Sequence, residues 1–324
     1  MRILANEFVL PYYMGHECHA SHLTVLDDGQ IFCVFFFGSK ESYGDVRIYG
    51  VFRDVKGKWQ FPFAITEDDG IAHWNPVLHK RKDGSYILYY KIGTSVPTWK
   101  TYYCISTDNC KTWSKSKELV PGDDGGGRGP VRNKPIYLSD GSLLAGASTE
   151  QGEWKCFFDR STDDGITWQK SELVSISEDI RDKHSSLKNR GIIQPTLWES
   201  ESGVHALMRS SEDRIYRTDS TDFVHWCHPY PIDVPHNNKA IDTVRLPDGR
   251  ILLICNPTDA HPQMITPLSL LVSNDDGKTF SFYSHLVTME GRYFYPALQY
   301  ENGRLHITFT WNRKSIVYMC LDEL

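Results

Sequence analysis

Gln194–Arg209, QPTLWESESGVHALMR, reads as an apolar strand, a turn at Ser202-Gly203 and a second strand that ends in arginine. Five more stretches carry the same hairpin: HLTVLDDGQIFCVFF from His22, NPVLHKRKDGSYILYYK from Asn75, KPIYLSDGSLLAGAS from Lys134, DTVRLPDGRILLICN from Asp242 and YPALQYENGRLHITFTW from Tyr295. The turn glycines Gly29, Gly84, Gly141, Gly203, Gly249 and Gly303 are spaced by 55, 57, 62, 46 and 54 residues. A near-constant period of this size, filled with strands, is the mark of a propeller. Four of the six turns are Asp-Gly, a dipeptide that tight hairpin turns select because it tolerates positive φ. The spacing therefore predicts an all-β fold, a six-bladed β-propeller with four-stranded antiparallel blades, and a single domain over residues 1–324.

A hairpin returns its end to the edge where it began. In a propeller the inner strands surround the axis, so these edges surround one mouth of the channel. Strand starts place His19 to His22, Asn75, Lys134, Gln194, Asp242 and Tyr295 at that mouth. Strand ends add Lys40, Glu41, Lys91, Glu150, Arg209, Asn256 and Arg313. The strands between are mostly apolar, and polar groups gathered at one edge are what a polar-ligand site needs.

The apolar share of 40% and the many aromatics allow a sizeable core in 324 residues. The net charge of −6 and the lack of a basic run speak against nucleic-acid binding. No apolar run is long enough to cross a membrane as a helix. MRILANEFVLPYY lacks the apolar core and cleavage site of a signal peptide, so a cytoplasmic location is expected, though a mature secreted chain has the same appearance. The eight cysteines are scattered through strand-like segments without a Cys-x-x-Cys and are expected to be free, buried thiols.

The last repeat has room for only three strands, YPALQY, RLHITFTW and SIVYMCL, so a short strand near Glu7–Leu10 is expected to complete its sheet and close the ring. After the hairpins a turn recurs: Ser106-Thr-Asp108-Asn-Cys110-Lys-Thr112-Trp113, Ser161-Thr-Asp163-Asp-Gly165-Ile-Thr167-Trp168 and Ser273-Asn-Asp275-Asp-Gly277-Lys-Thr279-Phe280. Its Asp accepts backbone N–H bonds across the turn, its Gly supplies positive φ and its aromatic plugs between sheets, a structural role on the face away from the mouth. The connections Gly122–Pro130 and Asn256–Pro267 read as ordered loops over the mouth, and polar Ser175–Arg190 as either a short helix or a flap.

This repeated S-x-D-x-G-x-T-W turn is the Asp-box, or BNR repeat, and the chain resembles the sialidase-like six-bladed propellers over essentially its whole length. The resemblance implies a tyrosine nucleophile supported by a glutamate, an aspartate acid/base and three arginines on a substrate carboxylate. Tyr295-Pro-Ala-Leu298 matches the tyrosine motif in its Tyr and Leu, and Arg209 matches the second arginine. The supporting glutamate is replaced by Gln194, the first arginine's Arg-Ile-Pro by His19-Ala-Ser21, and no arginine stands at Met264–Thr266. Glu41 or Asp45 fills the acid/base place. An amide cannot take a proton from a phenol of pKa about 10, so the chemistry is expected to have moved away from that of a standard sialidase.

The catalytic candidates are Tyr295, Asp242, Glu41, Asp45 and His19. Asp242 and Lys134 either pair with each other or face the channel. Arg209 ends a buried strand and needs a carboxylate, from protein or ligand. Lys134, Lys91 and Arg313 are further cationic candidates for substrate binding. Asn75, Asn133, Gln194 and Asn256 suit sugar hydroxyls, which need mixed donors and acceptors. Trp74, Trp99 and Trp311 either stack on sugar faces or pack in the core. The histidines of HECHASH (His16, His19, His22) fit no common zinc spacing, so neither metal nor other cofactor is expected. The expected partner is a carbohydrate, anionic in character. Three functions stay open: a glycoside hydrolase acting from the end of a glycan on an acidic sugar, a lyase on uronate-containing glycans, and a non-catalytic glycan-binding propeller.

Overall fold

The computed structural model of the chain describes residues 1–10, 15–178, 180, 189–258 and 265–324. The helix-or-flap reading of Ser175–Arg190 falls mostly outside them, as do much of the Asn256–Pro267 connection and position 264.

Six four-stranded antiparallel sheets surround one axis. Blade one holds β2 (Glu17–Val25), β3 (Ile31–Gly38), β4 (Arg47–Arg53) and β5 (Phe63–Ala64). Blade two holds β6 (His73–Lys80), β7 (Tyr86–Ile92), β8 (Lys100–Ser106) and β9 (Lys117–Glu118). Blade three holds β10 (Ile136–Tyr137), β11 (Leu143–Thr149), β12 (Lys155–Ser161) and β13 (Gln169–Lys170). Blade four holds β14 (Ile192–Ser200), β15 (Gly203–Ser210), β16 (Arg214–Ser220) and β17 (Tyr230–Pro235). Blade five holds β18 (Asp242–Arg245), β19 (Ile251–Cys255), β20 (Leu268–Ser273) and β21 (Ser281–Val287).

Blade six holds β22 (Tyr293–Glu301), β23 (Arg304–Trp311) and β24 (Ser315–Asp322), and β1 (Arg2–Phe8) pairs with β24 from Arg2↔Asp322 to Phe8↔Val317. The N-terminal strand thus closes the ring, and it starts earlier than Glu7 because residues from Arg2 onward find ladder partners. Among the described residues the only helix is one 3-10 turn, Val96–Thr98, too short to cross a membrane.

The Asp-Gly turns are built differently from the two-residue turn that the dipeptide suggests. Gly29, Gly84, Gly141 and Gly249 each donate to the carbonyl three residues back and carry φ of 81°, 84°, 84° and 91°. The preceding aspartates have no positive φ, so each is a type I turn with a glycine bulge. The aspartate's role is polar: Asp28, Asp83, Asp140 and Asp248 each accept the amide N–H two residues on, at 2.8–3.1 Å. The Asp-box turns behave as expected. Asp108, Asp163 and Asp275 each take the amide and hydroxyl of the threonine four residues on, at 2.6–2.9 Å. These bonds, the Thr112 hydroxyl first, hold the Asp108 carboxyl down to about 2.

Because each blade is covered on both faces by its neighbours, strands such as β3 and β7 are apolar almost throughout. The core divides into six apolar clusters, one for each seam between blades. Phe158 of blade three stacks on Trp226 of blade four at 3.5 Å, for example. Large side chains buried in this way contribute about 1.5–3 kcal/mol each. All eight cysteines are free and seven are buried.

Candidate active site

Four innermost strands share one local distortion. The ladder slips between His19 and His22, Trp74 and Val77, Ile193 and Thr196, and Phe294 and Ala297. At each slip sits a residue with left-handed backbone: Ala20 (φ 53°), Asn75 (43°), Gln194 (57°) and Tyr295 (55°). In three of the four the next residue is proline, which has no N–H to lose where a ladder is interrupted. Positive φ in a side-chain-bearing residue costs energy and concentrates at functional sites. The bulges interrupt pairing at one edge of the axis and turn Gln194 and Tyr295 toward Arg209.

Arg209, at the end of β15, is the hub. Its Nε donates to Asn238 Oδ1 (3.1 Å), and its Nη1 reaches Gln194 Oε1 (3.2 Å) and Tyr295 Oη (3.4 Å). Its guanidinium lies 5.8 Å from the Trp154 ring. The His19 ring lies 4.1 Å from that of Tyr295, and its Nδ1 bonds Thr310 Oγ1 (2.8 Å). His19, Gln194, Arg209 and Tyr295, from blades one, four and six, therefore converge as expected.

Beneath Tyr295 lies Arg132, 1% exposed. Its Nη2 donates to the carbonyls of Tyr295 (2.7 Å) and Pro296 (2.9 Å), and its guanidinium lies 5.1 Å from the Tyr295 ring. Its Nε and Nη1 have no partner among the described residues. Burial lowers this guanidinium to about 10, against the opposing pull of Asp242 and Tyr295. Arg313 donates to Glu41 at 2.6 Å, and Arg313 and Arg292 lie 5.6 and 5.2 Å from the Phe294 ring. Burial, then Arg209, Arg292 and Arg313, lowers the pKa of Lys239. Burial, then Arg313, Arg132, Arg292 and Arg209, holds His19 well below its ordinary value, so its imidazole is neutral.

The mouth is thus strongly cationic. Two carboxylates answer it, and both are pushed toward their protonated forms. Burial raises Glu41 against the charge and hydrogen bond of Arg313, and burial raises Glu150 against the charge of Arg209. No carboxylate among the described residues forms an ion pair with Arg209, Arg132, Lys239 or Arg292.

Other expected site residues are placed elsewhere. Asp242, 1% exposed, accepts Lys134 Nζ (3.0 and 2.8 Å), Thr196 Oγ1 (2.9 Å) and the amides of Thr243 (2.9 Å) and Leu298 (2.7 Å). With its oxygens committed to these donors it is a tie between blades three, four, five and six, and no longer a free base. Lys134 is its partner and lines a cleft of about 260 Å³ with Leu78, His79, Tyr137, Val244 and Gln299. It is not among the groups around Arg209.

Asp45 is exposed and caps its loop through the amide and hydroxyl of Ser39, both at 2.9 Å; burial works against its charge, but these bonds prevail and its pKa is lowered. Lys91 is fully buried on Thr101 Oγ1 (2.6 Å) and the Arg128 carbonyl (3.1 Å), and desolvation lowers it to about 7. Asn75, Asn133 and Asn256 spend their amide N–H groups on backbone carbonyls of Val131, of Gln194 and Pro195, and of Pro267 and Tyr293. They staple neighbouring segments of the backbone together, and Asn133 does so at the blade-four bulge, on the carbonyls of Gln194 and Pro195. Trp74 and Trp99 are buried against each other, and Trp311 packs on Phe8.

Sequence reasoning missed Arg132, Asn238, Lys239, Arg292 and Trp154, and gave Glu150 no role. Arg132 stands immediately before Asn133-Lys134, and Arg292 three residues before Tyr295, so both lay beside selected positions. Both precede the regular strands, where no alternation of faces shows which residue turns toward the axis.

The chain matches the family described as the BNR repeat-like domain over residues 29–307. No curated protein matches it. Among solved structures it is similar to a protein of unknown function from Dyadobacter fermentans DSM 18053, with 17% identity, a TM-score of 0.80 and coverage of 99% of this chain and 98% of that one. It is also similar to the NanB sialidase of Streptococcus pneumoniae, with 12% identity, a TM-score of 0.72 and coverage of 98% and 70%. A third is the intramolecular trans-sialidase of Ruminococcus gnavus in complex with oseltamivir carboxylate, with 12% identity, a TM-score of 0.70 and coverage of 94% of each chain. At these identities the likeness speaks for the fold alone. The match over most of the chain, on six blades joined by Asp-box turns, shows that this protein belongs to the BNR repeat-like domain family.

Proposed function

We propose that the protein is a carbohydrate-active enzyme that acts on a terminal acidic sugar and is not a standard sialidase. The observation that carries this reading is Arg209: a guanidinium that forms no ion pair with a protein carboxylate among the described residues, one of whose N–H groups reaches the Tyr295 phenol. A bidentate contact with a substrate carboxylate supplies the missing partner and is worth about 1.5–3 kcal/mol. Solved relatives of this fold carry sialidase names, which favours sugar chemistry over other ligands.

In the hydrolytic reading, Tyr295 Oη attacks the anomeric carbon while Glu41, whose proton affinity burial raises, gives a proton to the leaving oxygen. Water then releases the sugar, and the proton returns to Glu41. Gln194 cannot take the phenol proton; in this reading neutral His19 accepts it, and Arg209 Nη1 stands 3.4 Å from the attacking oxygen.

The commitment of Asp242 to other donors favours a second reading, elimination from a uronate. Arg209 neutralises the carboxylate, Tyr295 or His19 removes the adjacent carbon-bound proton, and the glycosidic oxygen leaves with a proton from Glu41. A panel of uronosides and sialosides separates these. New reducing ends without ultraviolet absorbance mark hydrolysis, and absorbance of an unsaturated uronate marks elimination. Binding without either product marks a glycan-binding protein. Efficient release of sialic acid from a reporter sialoside would contradict the proposal.

A further inference from the structure

The cations at this mouth outnumber what one sugar carboxylate needs, and they fall into two groups. The inner group is Arg209 beside the Tyr295 hydroxyl, with Arg132 buried beneath the ring. The outer group gathers around Phe294, with Arg292 on one approach to the ring and Arg313 on another; half-buried Lys239 borders both groups, its proton affinity lowered by burial and then by Arg209, Arg292 and Arg313. Arg292 is exposed, and Lys239 and Arg313 are half-buried.

Among the described residues only Glu41 pairs within this outer group, through Arg313 Nη2, and buried Arg313 Nη1 has no hydrogen-bond partner among them. Like charges held together cost energy in the empty protein, and that cost is recovered when an anion arrives. Arg132 has no surface to offer a ligand; it acts through its field on the inner group. Glu150 answers Arg209, and Glu41, already bonded to Arg313, is the described carboxylate that also feels Arg292, so one shared carboxylate faces the outer cations.

We infer that the substrate carries a second oxyanion, displaced from the carboxylate at Arg209 and bound by Arg292, Lys239 and Arg313 over the Phe294 ring. Its chemistry is that of a sulfate ester or of the carboxylate of an adjoining uronic acid. This deepens the reading of the site as one for an acidic sugar and rests on it. Dianionic glycan ends then bind more tightly than monoanionic ones, with a steeper dependence on ionic strength, because more charge is screened.

The test is calorimetric titration of the full chain with two matched pairs: galacturonic acid against digalacturonic acid, and an unsulfated against a sulfated chondroitin disaccharide. The dianion of at least one pair binds about tenfold more tightly than its partner, which is one decade in Kd, and the pair that shows the gain identifies the source of the second charge. Arg292→Ala and Lys239→Met each reduce that ratio severalfold, with melting temperatures close to that of the parent. If the monoanions bind and neither dianion gains, the second subsite is wrong while the acidic-sugar reading stands. If no saccharide of the four binds, both fall. A ratio unchanged in the two variants also overturns the assignment.

Discussion

Two cations near the axis, Arg209 and Lys134, look alike in the sequence: each sits at the end or start of an apolar strand. In the structure they are opposites. Lys134 sends its ammonium into Asp242, which also takes Thr196, Thr243 and Leu298. Among the described residues Arg209 hydrogen-bonds only the neutral oxygens of Asn238, Gln194 and Tyr295, and Glu150 feels its charge without forming an ion pair. One is a closed network, and the other is a charge held ready. The same residue types serve cohesion where every bond is made and function where one is left open.

The largest effects follow from that difference. Tyr295→Phe removes the one hydroxyl that Arg209 touches; turnover is expected to disappear on every glycan, with the melting temperature little changed, and steady-state kinetics beside calorimetry checks both. Asp242→Ala has the opposite signature. It leaves Lys134 without its carboxylate and the Leu298 amide without its acceptor, so about 3–5 kcal/mol of stability is expected to be lost in denaturant titration. Retained stability in Asp242→Ala would erase the contrast between the two cations.

Arg209→Lys keeps the charge and loses the planar fork. A fall in kcat/KM of roughly 10–100-fold is expected, the equivalent of the 1.5–3 kcal/mol of a charged hydrogen-bonded contact, with stability preserved. The smallest effect concerns Glu150. Burial raises its pKa in the folded state, so the folded protein binds the proton more tightly than the unfolded chain. That contribution is fully present below the ordinary glutamate value and is lost as pH rises through the raised one. Glu150→Gln is therefore expected to melt slightly higher than the parent at neutral pH, by about 2 °C, with the difference vanishing as pH falls below 4.5, the ordinary value. A difference independent of pH would show that the carboxylate is not the cause.

The fold was legible because its signals are local and repeated. Six hairpins with glycine turns set the blade count, and the short last repeat called for a strand from the N-terminus. Even so, the role of the Asp-Gly aspartates is a hydrogen bond across the turn rather than tolerance of positive φ. The site was legible in part. Strand polarity found His19, Gln194, Arg209 and Tyr295, because strand starts and strand ends share an edge. It failed for Asn75, Asn133 and Asn256, whose amide N–H groups are taken by buried backbone carbonyls of other segments. It failed for Arg132 and Arg292 because both precede the regular strands, Ile136–Tyr137 and Tyr293–Glu301, where no alternation of faces shows which residue turns toward the axis.

The most direct test of the account is binding of galacturonic acid, measured by calorimetry at low ionic strength, to the parent protein, to Arg209→Met and to Arg160→Gln. Arg160 pairs with Asp140 at a hairpin turn, so its variant removes the same charge away from the mouth. The account predicts saturable binding to the parent and to Arg160→Gln, and loss of binding in Arg209→Met. Undiminished binding in Arg209→Met would contradict it.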